Sequence, residues 1–104
     1  MYRKPTDKQL AKVPAMNPES TVPLAEKKIY MHFFVGSCDW YAVEWDVETR
    51  EFFGYVNLGD DMNAEWGYFS LDKLISLHVG PFEVDYDRHW DVRQVKDIPE
   101  IKKF

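Results

Sequence analysis

Residues 27–58 read KKIYMHFFVGSCDWYAVEWDVETREFFGYVNL and contain three runs rich in β-branched and aromatic residues. Within each run, side chains alternate with the two-residue period of a strand, and short polar or glycine-containing segments separate the runs. This pattern predicts strands over residues 27–35, 39–46 and 51–58. Because the connections are short, we expect the three strands to pair in chain order as an antiparallel meander.

Two short helices are expected around this meander. Thr6 is predicted to cap an N-terminal helix, with Gln9 completing a capping box and Pro14 ending the helix. Ser70 is predicted to cap a second helix near residues 71–77. The sequence therefore predicts an α+β fold: an antiparallel sheet with a three-strand meander, a short helix after Ser70, a further C-terminal strand and a short N-terminal helix.

The chain of 104 residues is predicted to form a single domain over residues 1–104. Residues 14–26 contain three prolines, and we interpret them as a Pro-rich linker between the N-terminal helix and the sheet. Cys38 is the single cysteine, which excludes an internal disulfide and favours a reducing compartment. No secretory signal is visible and no apolar run approaches the length of a membrane helix, so a cytoplasmic location is expected.

The net charge of −5 conceals an acidic central part of the chain. Residues 29–95 carry four basic side chains and thirteen carboxylates, a net charge of −9, whereas the segments on either side are basic. Affinity for nucleic acid comes largely from Lys and Arg side chains that neutralise phosphates. Duplex nucleic acid is therefore a disfavoured ligand for the acidic part, and a protein partner is favoured.

Residues 82–95 alternate with unusual regularity between acidic and other side chains. As one continuous strand, this segment would place on one face Glu83, Asp85, Asp87, His89 and Asp91. Three interpretations stay open: the solvated face of an edge strand, a metal site, or a protein-binding surface formed by Glu83, Asp85, Asp87 and Asp91. The weak candidate metal ligands are Asp85, Asp87, His89 and Asp91. A further ligand would have to converge on them from another strand, such as Glu44, Asp46 or His32.

Aromatic residues make up 16% of the chain, and some of them are candidates for binding a partner. The odd spacing of Trp40 and Trp45 predicts that these rings lie on opposite faces of one strand. If the helices cover only one face of the sheet, an exposed patch would form from Tyr30, Phe34, Trp40, Phe53 and Tyr55. We therefore expect Trp40 and Tyr55 to contribute to partner binding.

No catalytic residue is identified from the sequence, and no cofactor is predicted. The three histidines, His32, His78 and His89, lack the spacing of a zinc protease and belong to no catalytic triad. Two Glu-x-Lys segments, at residues 26–28 and 100–102, match a pattern found in many metal-dependent nucleases. That pattern is short enough to occur by chance.

Four short motifs follow one another along the chain. They are Tyr30-x-His32-Phe33-Phe34, Trp40-Tyr41-Ala42-x-Glu44-x-Asp46, Phe52-Phe53-Gly54-x-Val56 and Glu65-x-Gly67-Tyr68-Phe69-Ser70-Leu71. Together with the N-terminal Thr6-x-Lys8-Gln9-Leu10 and Val13-Pro14, this series resembles domain-of-unknown-function family 2958. The resemblance implies a small protein of bacterial plasmids, integrative elements and phages. It brings no established catalytic residues, although some members are labelled single-stranded DNA endonucleases.

The leading hypothesis is a small non-enzymatic interaction protein of a mobile genetic element. Its specific form is an acidic inhibitor of a host defence or DNA-processing protein. One alternative is a metal-dependent single-stranded DNA endonuclease, and another is a single-strand nucleic-acid-binding module. No membrane partner is expected, and the oligomeric state is not predicted.

Overall fold

Strand-forming residues build a sheet around which the rest of the chain is arranged. The computed structural model describes residues 1–104. The helices are α1 (Asp7–Leu10) and α2 (Leu71–Ser76). The strands are β1 (Lys28–Ile29), β2 (Met31–Val35), β3 (Cys38–Asp46), β4 (Glu51–Leu58), β5 (Glu65–Ser70), β6 (His78–Val79), β7 (Phe82–Glu83), β8 (Asp85–Tyr86) and β9 (Arg93–Gln94). Short 3₁₀ helices cover Leu24–Glu26, Asp61–Asn63 and Val95–Asp97.

Five strands form the main sheet in the order β5-β4-β3-β2-β8, and every neighbouring pair is antiparallel. The predicted meander is confirmed as β2, β3 and β4, and β5 extends it in chain order. The C-terminal strand β8 pairs with β2 at the opposite edge. Two small ladders, β1–β9 and β6–β7, lie outside this sheet. The predicted α+β fold is thus confirmed.

The predicted cap of α1 is present. The Gln9 amide donates to the Thr6 hydroxyl, and the Thr6 amide donates to the Gln9 side chain, which completes the capping box. α1 ends at Leu10, before the predicted end at Pro14. It ends early because the chain turns after Leu10, and this turn brings Val13 into the core.

α2 begins at the predicted cap, where the Ser70 hydroxyl accepts a hydrogen bond from the Lys73 amide (3.2 Å). Leu71 and Leu74 are buried against the sheet, and Ile75 is half-buried beside them. A helix of fewer than two turns is not stable alone in water, so this packing holds it. No helix of the structure has the length and apolar composition needed to cross a membrane.

The main sheet is covered on both faces, and each face has its own hydrophobic core. The first core contains the inward residues of β2. The helices contribute Leu10, Leu71 and Leu74 to it. The second core lies on the other face and includes Ile29, Tyr41, Val43, Tyr55, Ala64, Val95, Ile98 and Ile101. The C-terminal residues 95–101 therefore cover the face that the helices leave open.

A β-bulge in β3 decides which side chains reach which core. The register of β3 on β4 shifts between Ala42 and Glu44, so that Val43 is an extra residue. The extra residue reverses the alternation, and Trp40 and Trp45 both lie in the first core. The prediction that these two rings lie on opposite faces is wrong, because regular alternation does not continue across the bulge.

The strand predicted over residues 27–35 consists of two pieces, β1 and β2, separated at Tyr30. β1 pairs with β9 outside the main sheet, whereas β2 pairs with β3 and β8 within it. Ile29 packs in the second core, and Met31 packs in the first. The break lets one stretch of chain contribute to both cores.

The prediction of one continuous strand over residues 82–95 is wrong. β7 and β8 contain two residues each, and Val84 between them is buried in the first core. The chain turns after β8 because the Asp87 carboxylate accepts a hydrogen bond from the His89 amide (3.1 Å). The Asp87 carbonyl also accepts one from the Trp90 amide (3.3 Å). The acidic residues therefore do not share one strand face.

Residues 14–26, which we predicted to be a Pro-rich linker, connect α1 to β1. The Pro14 carbonyl accepts a hydrogen bond from the Trp45 amide (2.8 Å), and Ala15 forms an isolated parallel bridge to Trp45. The segment ends in the 3₁₀ helix Leu24–Glu26. Its first residues are therefore held against β3.

Candidate functional site

An open cleft of about 450 Å³ lies where β3 begins and β4 ends. Its lining residues are Ser37, Asp39, Tyr41, Asn57, Gly59, Asp61, Pro99, Glu100 and Lys102. Three of them carry carboxylates and one is a lysine, so the lining has a net negative charge. We call this feature the acidic cleft.

Strand register positions the first wall of the acidic cleft. Asp39 lies opposite Asn57 across β3 and β4, and Tyr41 lies opposite Tyr55 two residues further along. Residues two apart share one face of a strand, so Asp39 and Tyr41 point to the same side of the sheet. That side carries the second core, to which both tyrosines belong.

Asn57 holds the loop that follows β4. Its side-chain oxygen accepts hydrogen bonds from the amides of Gly59 (2.9 Å) and Asp60 (3.0 Å), and its side-chain nitrogen donates to Asp61 (2.8 Å). Gly59 has a φ of 95°, in the left-handed region that favours glycine. A β-carbon there would also lie 2.7 Å from the Ser37 hydroxyl. The loop is therefore fixed in a shape that keeps Asp61 beside the cleft.

The C-terminal segment forms the second wall of the acidic cleft. Ile98 and Ile101 are buried in the second core, and this anchoring places Glu100 and Lys102 along the cleft. The Lys102 ammonium lies 3.1 Å from a carboxylate oxygen of Asp61. This ion pair links the C-terminal segment to the loop after β4.

Tyr41 lies at the junction of the acidic cleft and the second core. Burial raises the pKa of its hydroxyl above the ordinary value, and the nearby carboxylates of Asp39 and Glu100 raise it further, whereas the positive charge of Arg93 lowers it in part. The hydroxyl therefore stays protonated at neutral pH and can both donate and accept a hydrogen bond.

Asp61 is exposed but already has polar partners. The hydrogen bond from Asn57, followed by that from Lys102, holds the pKa of its carboxyl below the ordinary value. Asp61 therefore stays ionised while Lys102 compensates its charge. Glu100, by contrast, takes part in none of the ion pairs.

His32 lies between two carboxylates on the same side of the sheet. Its Nε2 is 2.8 Å from Asp39 Oδ1, and its Nδ1 is 3.3 Å from Asp87 Oδ2. A carboxylate only accepts, so both contacts are hydrogen bonds only when both ring nitrogens carry a proton. The ring also stacks on Tyr41, with centroids 4.7 Å apart. His32 therefore connects the acidic cleft to the turn at Asp87.

The four acidic residues that were predicted to form a partner-binding face differ in their surroundings, although Asp85 and Asp87 line one depression. The Glu83 carboxylate pairs with the N-terminal ammonium at 3.2 Å, and Asp87 contacts His32. Asp85 and Asp91 are exposed and take part in no ion pair. Glu83 and Asp87 thus have partners within the fold, whereas Asp85 and Asp91 are free to meet another molecule.

Three of the weak candidate metal ligands, Asp85, Asp87 and His89, line one open depression, but they do not converge as a metal site. Asp85 belongs to β8, Asp87 and His89 belong to the following turn, and Asp91 lies in the loop before β9. No group of three or more His, Cys, Asp or Glu side chains is close enough to hold a metal ion. His32 does reach Asp87, but the two carboxylates beside this ring contact opposite nitrogens and do not face a common point.

The expectation that Trp40 and Tyr55 are exposed is wrong. Trp40 is 4% exposed and Tyr55 is 1% exposed. Helices cover the face that carries Trp40, and the C-terminal segment covers the face that carries Tyr55. The expected patch on one bare face of the sheet does not form, because neither face is bare.

A different group of rings lies at the β4–β5 edge. Tyr68 is 70% exposed, and the Phe53 ring lies 5.4 Å from Tyr68 and 6.0 Å from Trp66 between centroids. Only Phe53 belonged to the expected patch. Glu44 and Glu51 line the same depression as Tyr68, so the surroundings of this ring are acidic.

No residue of the acidic cleft was predicted as a site residue from the sequence, although Glu100 and Lys102 lie in one of the two Glu-x-Lys segments. The predicted meander pairs residues 39–46 with residues 51–58. From this pairing, the proximity of Asp39 and Asn57 could have been predicted. No signal in the sequence placed Glu100 beside these two residues. Its position depends on the packing of the C-terminal segment against the second core, which joins residues far apart in the chain.

No family model matches the chain, and no curated protein or solved structure matches it. The resemblance to family 2958 stays a prediction. The function is therefore inferred from the acidic cleft and the residues around it.

Proposed function

We propose that the chain is a small non-enzymatic interaction protein of a mobile genetic element, which inhibits a host defence or DNA-processing protein in the cytoplasm. The observation that carries this proposal is the acidic cleft, in which three carboxylates and one lysine face the solvent. A surface whose charge has one sign attracts partners of opposite charge and disfavours partners of the same charge. The mobile-element part of the proposal rests on the family resemblance alone, and the cytoplasmic location rests on the single cysteine.

Burial of both sheet faces favours a protein partner over a single nucleic-acid strand. Binding of a single strand combines exposed rings on which bases stack with cationic side chains that track the phosphates. Trp40 and Tyr55 are buried, and the exposed Tyr68 has Glu44 and Glu51 as neighbours. Because carboxylates repel phosphates, the nucleic-acid-binding alternative has less support.

The endonuclease alternative needs ligands that converge on a divalent cation. Neither the candidate ligands of the acidic segment nor the residues of the acidic cleft form a group of three that could hold a metal ion. Incubation of single-stranded DNA with the protein and Mn²⁺ tests this alternative. Cleavage that Asp39→Asn abolishes would contradict the non-enzymatic proposal.

Affinity capture from a bacterial lysate tests the interaction function itself. The immobilised chain is expected to retain a protein at low salt and to release it as salt screens the charges. Two double variants remove acidic charge: Asp61→Asn/Glu100→Gln in the acidic cleft, and Asp85→Asn/Asp91→Asn outside it. At least one of them should release the partner at lower salt than the unmodified chain does.

The matched control is the double variant Glu19→Gln/Glu48→Gln. It changes the net charge by the same amount at exposed residues that do not line the acidic cleft. It should release the partner at the same salt concentration as the unmodified chain. If no protein is retained, or if all four forms release it together, the acidic-surface proposal fails.

A further inference from the structure

The acidic cleft contains a tyrosine hydroxyl that no protein group satisfies. Tyr41 is 3% exposed, and its hydroxyl makes no hydrogen bond within the protein. Every side-chain nitrogen or oxygen that is fully closed off from solvent does have a partner. The Tyr41 hydroxyl therefore reaches the cleft that this residue lines. Because this hydroxyl reaches the open cleft and has no protein partner, it is available to bond a ligand there.

Two carboxylates beside Tyr41 also keep free acceptor atoms. Asp39 uses Oδ1 for His32, which leaves Oδ2 free, and Glu100 takes part in no ion pair. Both carboxylates are close enough to raise the pKa of the Tyr41 hydroxyl. Asp61 differs from them because neighbouring side chains already donate to both of its oxygens. The free acceptors around Tyr41 thus include its own hydroxyl and two carboxylates.

These acceptors fit a guanidinium group better than a metal ion or an ammonium group. The carboxylates do not form a set that could hold a metal ion. A guanidinium spreads five N–H donors over a plane and pairs with carboxylates through two parallel bonds. An ammonium is a compact and more strongly hydrated charge, which costs more to remove from water. A volume of about 450 Å³ also admits a whole arginine side chain.

We propose that the acidic cleft binds the guanidinium group of an arginine side chain presented by a partner protein. In this complex, Glu100 and Asp39 accept charge-assisted hydrogen bonds, and the Tyr41 hydroxyl accepts one further N–H. This inference rests on the proposed function and specifies the chemistry of the partner.

Titration of the ¹⁵N-labelled chain with N-acetyl-arginine methylamide, followed by NMR, tests the inference. The amide signals of Asp39, Tyr41 and Glu100 should shift saturably. N-acetyl-citrulline methylamide has nearly the same shape without the charge, and it should bind about tenfold more weakly. Glu100→Gln and Tyr41→Phe should each weaken binding of the arginine probe by about threefold to tenfold. The control Glu48→Gln, at the opposite end of the β3–β4 hairpin, should leave binding unchanged.

Equal binding of the two probes would overturn the inference, as would binding that neither Glu100→Gln nor Tyr41→Phe weakens. Tighter binding of N-acetyl-lysine methylamide or of Mn²⁺ would overturn the choice of guanidinium. Glu100 is exposed, so Glu100→Gln keeps the test decisive even where Tyr41→Phe disturbs the fold. Salt-sensitive capture of a partner without binding of the arginine probe would overturn this inference alone and leave the proposed function standing.

Discussion

Gly54 lies opposite Ala42 in the β3–β4 pair, immediately beside the bulge. A β-carbon at Gly54 would overlap the backbone carbonyl of Tyr41, which cannot move aside without breaking the strand pair. Glycine is therefore the residue that allows the bulged strand to approach β4 so closely. The bulged pairing of β3 with β4 therefore requires glycine at position 54.

Gly54→Ala is expected to lower the free energy of unfolding by about 1–3 kcal/mol, because the added methyl group overpacks a rigid backbone contact. The matched control is Gly67→Ala in β5. Gly67 pairs directly with Gly54, but a β-carbon there would meet nothing within 4 Å. Its free energy of unfolding should therefore change by less than about 1 kcal/mol. Urea denaturation of both variants checks this, and equal midpoints would contradict the close approach at the bulge.

Tyr41 makes the stability of the fold sensitive to alkaline pH. Burial and the nearby carboxylates raise the pKa of its hydroxyl in the folded state. A raised pKa contributes stability that is fully present below the unfolded value of about 10 and is lost as pH rises toward the folded value. The free energy of unfolding should therefore fall above about pH 10, and it should fall less in Tyr41→Phe. Urea denaturation at about pH 8 and about pH 11 measures the difference, and equal losses in both proteins would contradict the burial of the hydroxyl.

Among the structural elements, those with local signals could be predicted from the sequence. The caps of α1 and α2 are each decided within four residues, by Thr6 with Gln9 and by Ser70 with Lys73. Residues 82–95 show an equally regular alternation of acidic and other side chains, but they do not form one strand. There the Asp87 side chain binds a backbone amide two residues on, and this local bond competes with strand pairing.

The faces of β3 could not be predicted, because counting residues assumes that every residue is paired. Val43 is the unpaired extra residue, and it moves Trp45 to the face that already holds Trp40. A one-residue change of register moves every later side chain to the other face. An unseen bulge therefore converts a correct strand prediction into a wrong prediction of burial.

The packing of α2 is tested by truncating the leucine that it buries. Leu74 is 3% exposed, so Leu74→Ala should lower the free energy of unfolding by about 2–5 kcal/mol through lost burial and the cavity left behind. The control is Leu77, just after the helix, which is 38% exposed. Leu77→Ala should change the free energy of unfolding by less than about 1 kcal/mol. Thermal unfolding of the two variants measures both effects. An unchanged melting midpoint in Leu74→Ala would contradict the packing of α2 on the sheet.

In the whole molecule, the candidate site is a product of how distant segments meet. Asp39 begins β3, Asp61 follows β4, and Glu100 arrives with the C-terminal segment because Ile98 and Ile101 are buried in the second core. The negative charge of the central part was visible in the sequence, but the meeting of Asp39 and Asp61 with Glu100 of the C-terminal segment was not. That meeting depends on contacts between residues far apart in the chain, which local patterns do not report.

The position of a bound arginine probe tests the role of the acidic cleft most directly. Intermolecular nuclear Overhauser effects between the δ-methylene protons of N-acetyl-arginine methylamide and the protein should involve the Tyr41 ring and residues 99–102. A second depression, lined by residues that include Phe34, Tyr86 and Arg88, carries both acidic and basic side chains and serves as the internal comparison. Contacts confined to that depression or to the exposed Tyr68 ring, or no contacts at all, would contradict the assignment of the acidic cleft as the binding site.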